Sequence, residues 1–185
     1  MRQLPLFLFA IILVSSSAVL GQAELKLRGD SPLLAGLVRT RTADTSRKAL
    51  PSAASVERQA FELLNAERTA KGLEELVWND AVAEVAREHS RNMAEAKFFS
   101  HQGSDGSMVD DRADRMGLGN WSAIGENIAF LKGFDNPAEF AVEKWMQSPS
   151  HRKNLLGKNW RESAVGVAIT ADGTYYFTQV FILTK

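Results

Sequence analysis

Apolar positions recur at helical spacing along most of the chain and pass to a β pattern only at its end. Over 56–71, Ala60, Phe61, Leu63, Leu64 and Ala70 give a helix one apolar side, and Gly72 is placed to end it. Leu76-Val77-Trp78 is a short apolar segment, and Asn79 or Asp80 is a good N-cap for a second helix over about 80–97. In that helix Val82, Val85, Ala86, His89 and Met93 share one face, so His89 reads as a core histidine. Residues 108–116 predict a short helix whose Asp110, Asp111 and Asp114 suit a helix N-terminus. Asn136 caps a helix running to about Gln147, with Pro137 in its first turn and Phe140, Ala141, Trp145 and Met146 on its buried side. Pro149 lacks an N–H and disfavours helix in the residue before it. A break is therefore expected there, with His151 presented at the start of a second short helix. The chain closes with Ala164 to Thr170, Asp172-Gly173 and Thr174 to Leu183. Asp-Gly between β-branched and aromatic runs is a hairpin signal.

Composition narrows the class. The chain has 185 residues, 22 basic and 22 acidic, with 45% hydrophobic residues, three His and no Cys. That suits one globular domain plus a leader. The even charge carries no electrostatic footprint for nucleic acid. Without Cys there are no disulfides and no thiolate zinc ligands, so an exported domain of this kind rests on packing alone, which favours a bacterial origin. Residues 1–23 read as a signal peptide: Arg2, an apolar run from Leu4 to Val14, then small residues around a Gly21-Gln22-Ala23 cleavage pattern. The apolar run is short for a membrane span. Residues 24–54 read as a partly disordered linker, and 55–185 as the globular domain. The mature chain is expected to be a secreted or periplasmic monomer with no transmembrane segment.

The chemistry open to the chain is limited. It has no nucleophile elbow, no zinc-protease helix, no phosphate-cradling glycine loop and no dinucleotide fingerprint. Two histidines, His101 and His151, stand where the chain leaves or enters a helix. Glu126 lies in Ile124-Gly125-Glu126-Asn127-Ile128-Ala129, where an acid and an amide follow a glycine among apolar residues. That pattern suggests either a backbone pressed close to another element or an ordinary loop edge. Two His and a carboxylate can bind zinc with a water in the open position, or form a hydrogen-bonded polar cleft. The spacing does not choose between them.

Five segments, taken in order, resemble a known family. They are Phe98-Phe99-Ser100-His101, Gly125-Glu126-Asn127-Ile128-Ala129, Trp145-Met146 with Ser148-Pro149-Ser150-His151-Arg152 and Asn154-Leu155-Leu156, Val165-Gly166-Val167, and Tyr175 to Phe181. The chain is similar over about 58–184 to the CAP superfamily, the SCP domain of cysteine-rich secretory proteins, antigen 5 and pathogenesis-related class 1 proteins, and within it to a cysteine-free bacterial branch. The resemblance implies an α+β fold, a three-layer α-β-α sandwich with a small, mostly antiparallel sheet. It also implies a cleft in which His101 and Glu126 match the family's first His and first acidic residue. At the family's second His this chain has Tyr176, and at its second Glu it has Ser148. His151 belongs to the bacterial form of the helix motif.

Three functions remain open on this basis. One is a secreted, non-catalytic domain whose His101/Glu126/His151 cleft binds a divalent metal, Zn2+ first among them, or a small ligand. Another is a metal-assisted, peptidase-like hydrolase of the envelope or extracellular space, with the same three residues as candidate catalytic groups. The third is a lipid-binding carrier. The corresponding partners are a small ligand, a lipid or an envelope protein.

Overall fold

The computed structural model describes residues 51–185, so the expected leader and nearly all of the expected linker lie outside the described residues. The elements run α1 (Ala53–Ala70), β1 (Val77–Trp78), α2 (Asp80–Ala96), α3 (Val109–Arg115), β2 (Trp121–Lys132), α4 (Pro137–Gln147), α5 (Pro149–Leu155), β3 (Glu162–Ile169) and β4 (Thr174–Thr184). Local chemistry explains most of the boundaries. Ser52 accepts from the Ser55 N–H and starts α1 at Ala53, so the last residues of the expected linker already belong to the first helix. Asn79 accepts from the N–H groups of Ala81 and Val82 and starts α2. Gly72 takes φ +71° just after α1, a left-handed conformation that glycine reaches without steric cost.

The four strands form one mixed sheet in the order β1-β3-β4-β2. β1 pairs parallel with β3, and the two longer pairings are antiparallel. Strand side chains alternate between faces, and the two faces are covered by different helices. Val165, Val167, Tyr175, Phe177, Phe181, Ala129 and Leu131 pack with α1, α4 and α5 around Trp145, which is 1% exposed. Ala164, Val180 and Ile182 pack on the opposite face with Val82, Val85 and Ala86 of α2 and Ala113 of α3. The result is the three-layer α-β-α arrangement, with five helices around the sheet.

Side chains occupy hydrogen-bonding groups on both sides of the sheet, which hinders pairing with another chain at those points. β1 is too short to cover β3, and the buried Glu57 of α1 takes over: its carboxylate accepts the Val167 N–H at 3.0 Å and is held by the Arg87 guanidinium of α2. On the other edge, Trp145 donates to the Ile128 carbonyl at 3.0 Å and Asn154 donates to the Glu126 carbonyl at 3.1 Å. These two bonds tie α4 and α5 to β2, and so place the helical corner that carries His151. The buried Arg68 completes the fixation by donating to the carbonyls of Leu155 and Gly157 at the C-terminal end of α5.

The stretch around Glu126 is neither a loop nor a loop edge. It is the middle of the twelve-residue edge strand β2. The close approach expected after Gly125 is present: a Cβ there would stand 3.0 Å from the Trp160 ring.

Candidate functional site

Consecutive residues of a strand face opposite sides of the sheet. Glu126 and Asn127 use this to reach both helical layers from one point on β2. Glu126 turns toward α2 and α3. Its Oε1 accepts from His101 Nδ1 at 2.7 Å, and its Oε2 accepts from Arg112 Nη2 at 2.5 Å. Asn127, fully buried, turns the other way and donates to the His151 carbonyl at 3.1 Å. Asn154 closes this side by donating to Asn127 Oδ1 at 3.1 Å.

The two histidines therefore arrive from opposite layers and meet beside the β2 edge, with ring centroids 6.5 Å apart. Together with Phe99, Ser100, Gln102, Met108 and Ile128 they line an open cleft of about 550 Å³. The lining mixes the two imidazoles with the apolar side chains of Phe99, Met108 and Ile128, and the half-exposed Phe130 ring lies 6.0 Å from Phe99.

The electrostatics are asymmetric. The side chains of Glu126 and Arg112 are 4% and 1% exposed, so this ion pair is screened from water. The His101 side chain is 44% exposed. With Nδ1 donating to the carboxylate, Nε2 is left without a hydrogen-bond partner among the described residues. Burial, and then the charge of nearby His101, lower the His151 pKa, so its ring favours the neutral form. Among the described residues, no group of three or more His, Asp or Glu is arranged to hold a metal ion.

The structure also places His89, Tyr176 and Ser148. His89 is fully buried, as its apolar stripe implies, but it also belongs to the surroundings of the site: its Nε2 lies 2.9 Å from the Ser100 carbonyl and 4.0 Å from Glu126 Oε1. Tyr176 is buried against Phe130, with ring centroids 5.0 Å apart, and packs with Met93 and Ile128. Ser148 lies at the α4–α5 break, its hydroxyl 3.3 Å from that of Ser150. Among the described residues neither Tyr176 nor Ser148 hydrogen-bonds to His101, Glu126 or His151. Arg112 escapes the sequence reading altogether. It stands among aspartates in a short helix that reads as a surface element, and no spacing marks it as buried. Asn127 and Asn154 lie inside recognisable motifs, but nothing in the sequence links them to the backbone of His151.

Burial lowers the His89 pKa, with the Glu126 charge opposing that shift. The unfolded chain then binds more protons at this position than the folded one, so stability rises with pH through the affected range. Its contribution is complete above the ordinary histidine value of about 6.5 and is lost as pH falls below it. The melting temperature of the wild type is expected to drop between about pH 6.5 and pH 5. His89→Gln should flatten that slope, leaving the contribution of His151. An unchanged slope in the variant would show that His89 does not carry it.

The description "cysteine-rich secretory protein family" matches residues 61–181. Over 126 residues the chain is 40% identical to the uncharacterized membrane protein YlbC of Bacillus subtilis, covering 68% of this chain and 34% of that one. Over 139 residues it is 34% identical to the uncharacterized protein YkwD of the same organism, covering 75% of this chain and 51% of that one. The chain thus spans about a third and a half of the lengths of these curated relatives. An extracellular protein of Bacillus anthracis that contains an SCP domain superposes with a TM-score of 0.61 at 32% identity, over 70% of this chain and 41% of the other. A family match across most of the folded residues, together with a cysteine-free sandwich carrying His101 on Glu126, shows that this chain belongs to the cysteine-rich secretory protein (CAP) family.

Proposed function

We propose that this is a secreted CAP-domain protein whose cleft binds a divalent cation or a small ligand through His101 and His151, without catalysing a reaction. The observation that carries the reading is the state of His101. Its Nδ1 is committed to a carboxylate that Arg112 already neutralises, so Nε2 is offered to the cleft opposite the His151 ring. A histidine whose second nitrogen is held by a carboxylate is the usual form of a metal-ligating histidine, with a fixed tautomer and a more basic free nitrogen. The neutral His151 ring suits the same role. Zn2+ would be held by these two imidazoles, and its remaining positions would be filled by water or by a bound ligand. It would supply Lewis acidity to whatever group completes its coordination.

Non-catalytic binding is favoured because both oxygens of Glu126 are engaged, so this carboxylate does not stand ready as a general base beside the pair. Catalytic zinc sites ordinarily draw three ligands from the protein, one more than this histidine pair provides. Export is supported by the leader pattern of residues 1–23 and by the extracellular description of the Bacillus anthracis protein. A second reading, an amphipathic ligand such as a lipid, is supported by the apolar side chains of Phe99, Met108 and Ile128 in the cleft lining.

Calorimetric titration with Zn2+ tests the first reading. Micromolar binding is expected for the wild type, with His101→Ala and His151→Ala each weakening it at least about tenfold and leaving the circular dichroism spectrum unchanged. Equal affinity in the variants would refute the site. An absence of binding in the wild type would refute the metal reading. Displacement of a fluorescent fatty acid, weakened by Phe99→Ser, would then support the amphipathic ligand.

A further inference from the structure

We infer that His89 and Arg112 are positioning residues that lock the exposed His101 ring in its Nδ1–H tautomer and present Nε2 to the cleft. The inference rests on the reading of that cleft as a binding site. An imidazole 44% exposed on a loop would ordinarily sample several rotamers and both neutral tautomers. Here the two carbonyls on either side of the His101 Cα are each gripped by a buried side chain from a different helix. His89 of α2 holds the Ser100 carbonyl at 2.9 Å. A carbonyl only accepts, so Nε2 of His89 carries the proton. Arg112 of α3 donates from Nη1 to the His101 carbonyl at 3.2 Å and to the Ser107 carbonyl at 2.9 Å. Its Nη2 donates to Glu126 Oε2, which holds the carboxylate where Oε1 meets His101 Nδ1. Backbone and ring of His101 are thus fixed from α2, α3 and β2 at once.

The polar groups involved are costly to bury. His89 and Arg112 are 0% and 1% exposed, and each keeps one buried nitrogen, Nδ1 and Nε respectively, without a partner among the described residues. Packing alone would be served as well by apolar side chains of similar volume. What apolar residues would not provide is the set of donors aimed at Ser100, His101 and Glu126. His151 contrasts with this. Asn127 holds its carbonyl, while its ring accepts or donates no hydrogen bond among the described residues. His101 is the fixed jaw of the cleft and His151 the adjustable one.

The test is 15N NMR of the imidazole rings in the metal-free protein at pH 7.5, with Zn2+ titration alongside. In the wild type His101 is expected to show a protonated Nδ1 and a bare Nε2. In Arg112→Lys, which keeps the charge but loses the fork, and in His89→Leu, it should move to a tautomer mixture. Zn2+ affinity should fall about tenfold. His89→Gln, whose amide can still donate to the Ser100 carbonyl, should restore the wild-type ring signals. If Arg112→Lys fails to fold, the His89→Leu and His89→Gln pair carries the test. Ring signals of His101 unchanged in the folded variants would overturn the inference, even with zinc bound by the wild type. Tautomer mixing in the variants of a protein that binds no zinc would uphold it and refute only the metal reading.

Discussion

Glu126→Ala is expected to lower the unfolding free energy by about 3–5 kcal/mol, because it strands the Arg112 charge in the protein interior. Arg112 is 1% exposed, and Glu126 is its only carboxylate within ion-pair distance among the described residues. A guanidinium keeps its charge in proteins, so the usual escape for a buried charge is closed. Three further bonds would suffer: His101 Nδ1 would lose its acceptor, and the two bonds from Arg112 to the loop carbonyls of His101 and Ser107 would loosen. His101→Ala removes the other partner of the same carboxylate, yet it should cost far less, since that side chain is already 44% exposed. Urea denaturation of the two variants separates the cases. Losses of similar size would mean that Arg112 reaches solvent once Glu126 is gone.

Gly166→Ala is expected to be the most damaging single-methyl change in the described domain. A Cβ at Gly166 would lie 2.2 Å from the Arg87 nitrogen, 2.4 Å from the Ala86 carbonyl carbon and 2.6 Å from the Arg87 Cα. All three are backbone atoms of α2, so no side chain can swing aside to make room. The helix itself must lift from β3, breaking the bond from Ser90 Oγ to the Gly166 carbonyl at 2.9 Å and unpacking Val82, Val85 and Ala86. Overpacking a core typically costs about 1–3 kcal/mol, and a rigid obstacle places this site at or above the top of that range. The melting temperature should fall by roughly 10 °C or more, taking about 2–8 °C per kcal/mol for domains near this size. Because α2 carries His89 and leads into His101, Zn2+ binding should weaken in any fraction that stays folded. A melting temperature within a few degrees of the wild type would show that α2 is less tightly seated than these distances imply.

Much of the fold is legible in the sequence. The cap at Asn79, the break at Pro149 and the Asp172-Gly173 hairpin are local events, governed by residues within a few positions of one another, and each element they predict is present; α4 also starts where expected, with Pro137 in its first turn, although Asn136 makes no side-chain capping bond. The ordered motifs were specific enough to imply the α-β-α sandwich and to single out His101 with Glu126, and these two do meet. Local pattern failed at β2, where a glycine, an acid and an amide (Gly125, Glu126 and Asn127) weaken the alternation that normally marks a strand. That strand exists because β4 pairs with it along its length and α4 and α5 cover its outer edge.

By itself the sequence determined the helices, the hairpin, the family and the histidine–carboxylate pair, since propensity, capping and motif order are properties of short stretches of chain. Only the tertiary structure decided which polar side chains are buried and what they hold. Arg112 reads as one more charge in an acidic surface helix until α3 packs against β2, and His89 as a core filler until the Ser100 carbonyl is brought to its Nε2. Tyr176 and Ser148, at the family's second His and second Glu positions, gain no bond to His101, Glu126 or His151 among the described residues, while Asn127 and Asn154 acquire the task of holding His151. The reason is physical. The free energy of a buried polar group is set by partners drawn from distant elements, 14 positions away for Arg112 and Glu126 and 24 for Asn127 and His151, and no local pattern records which distant groups will be neighbours.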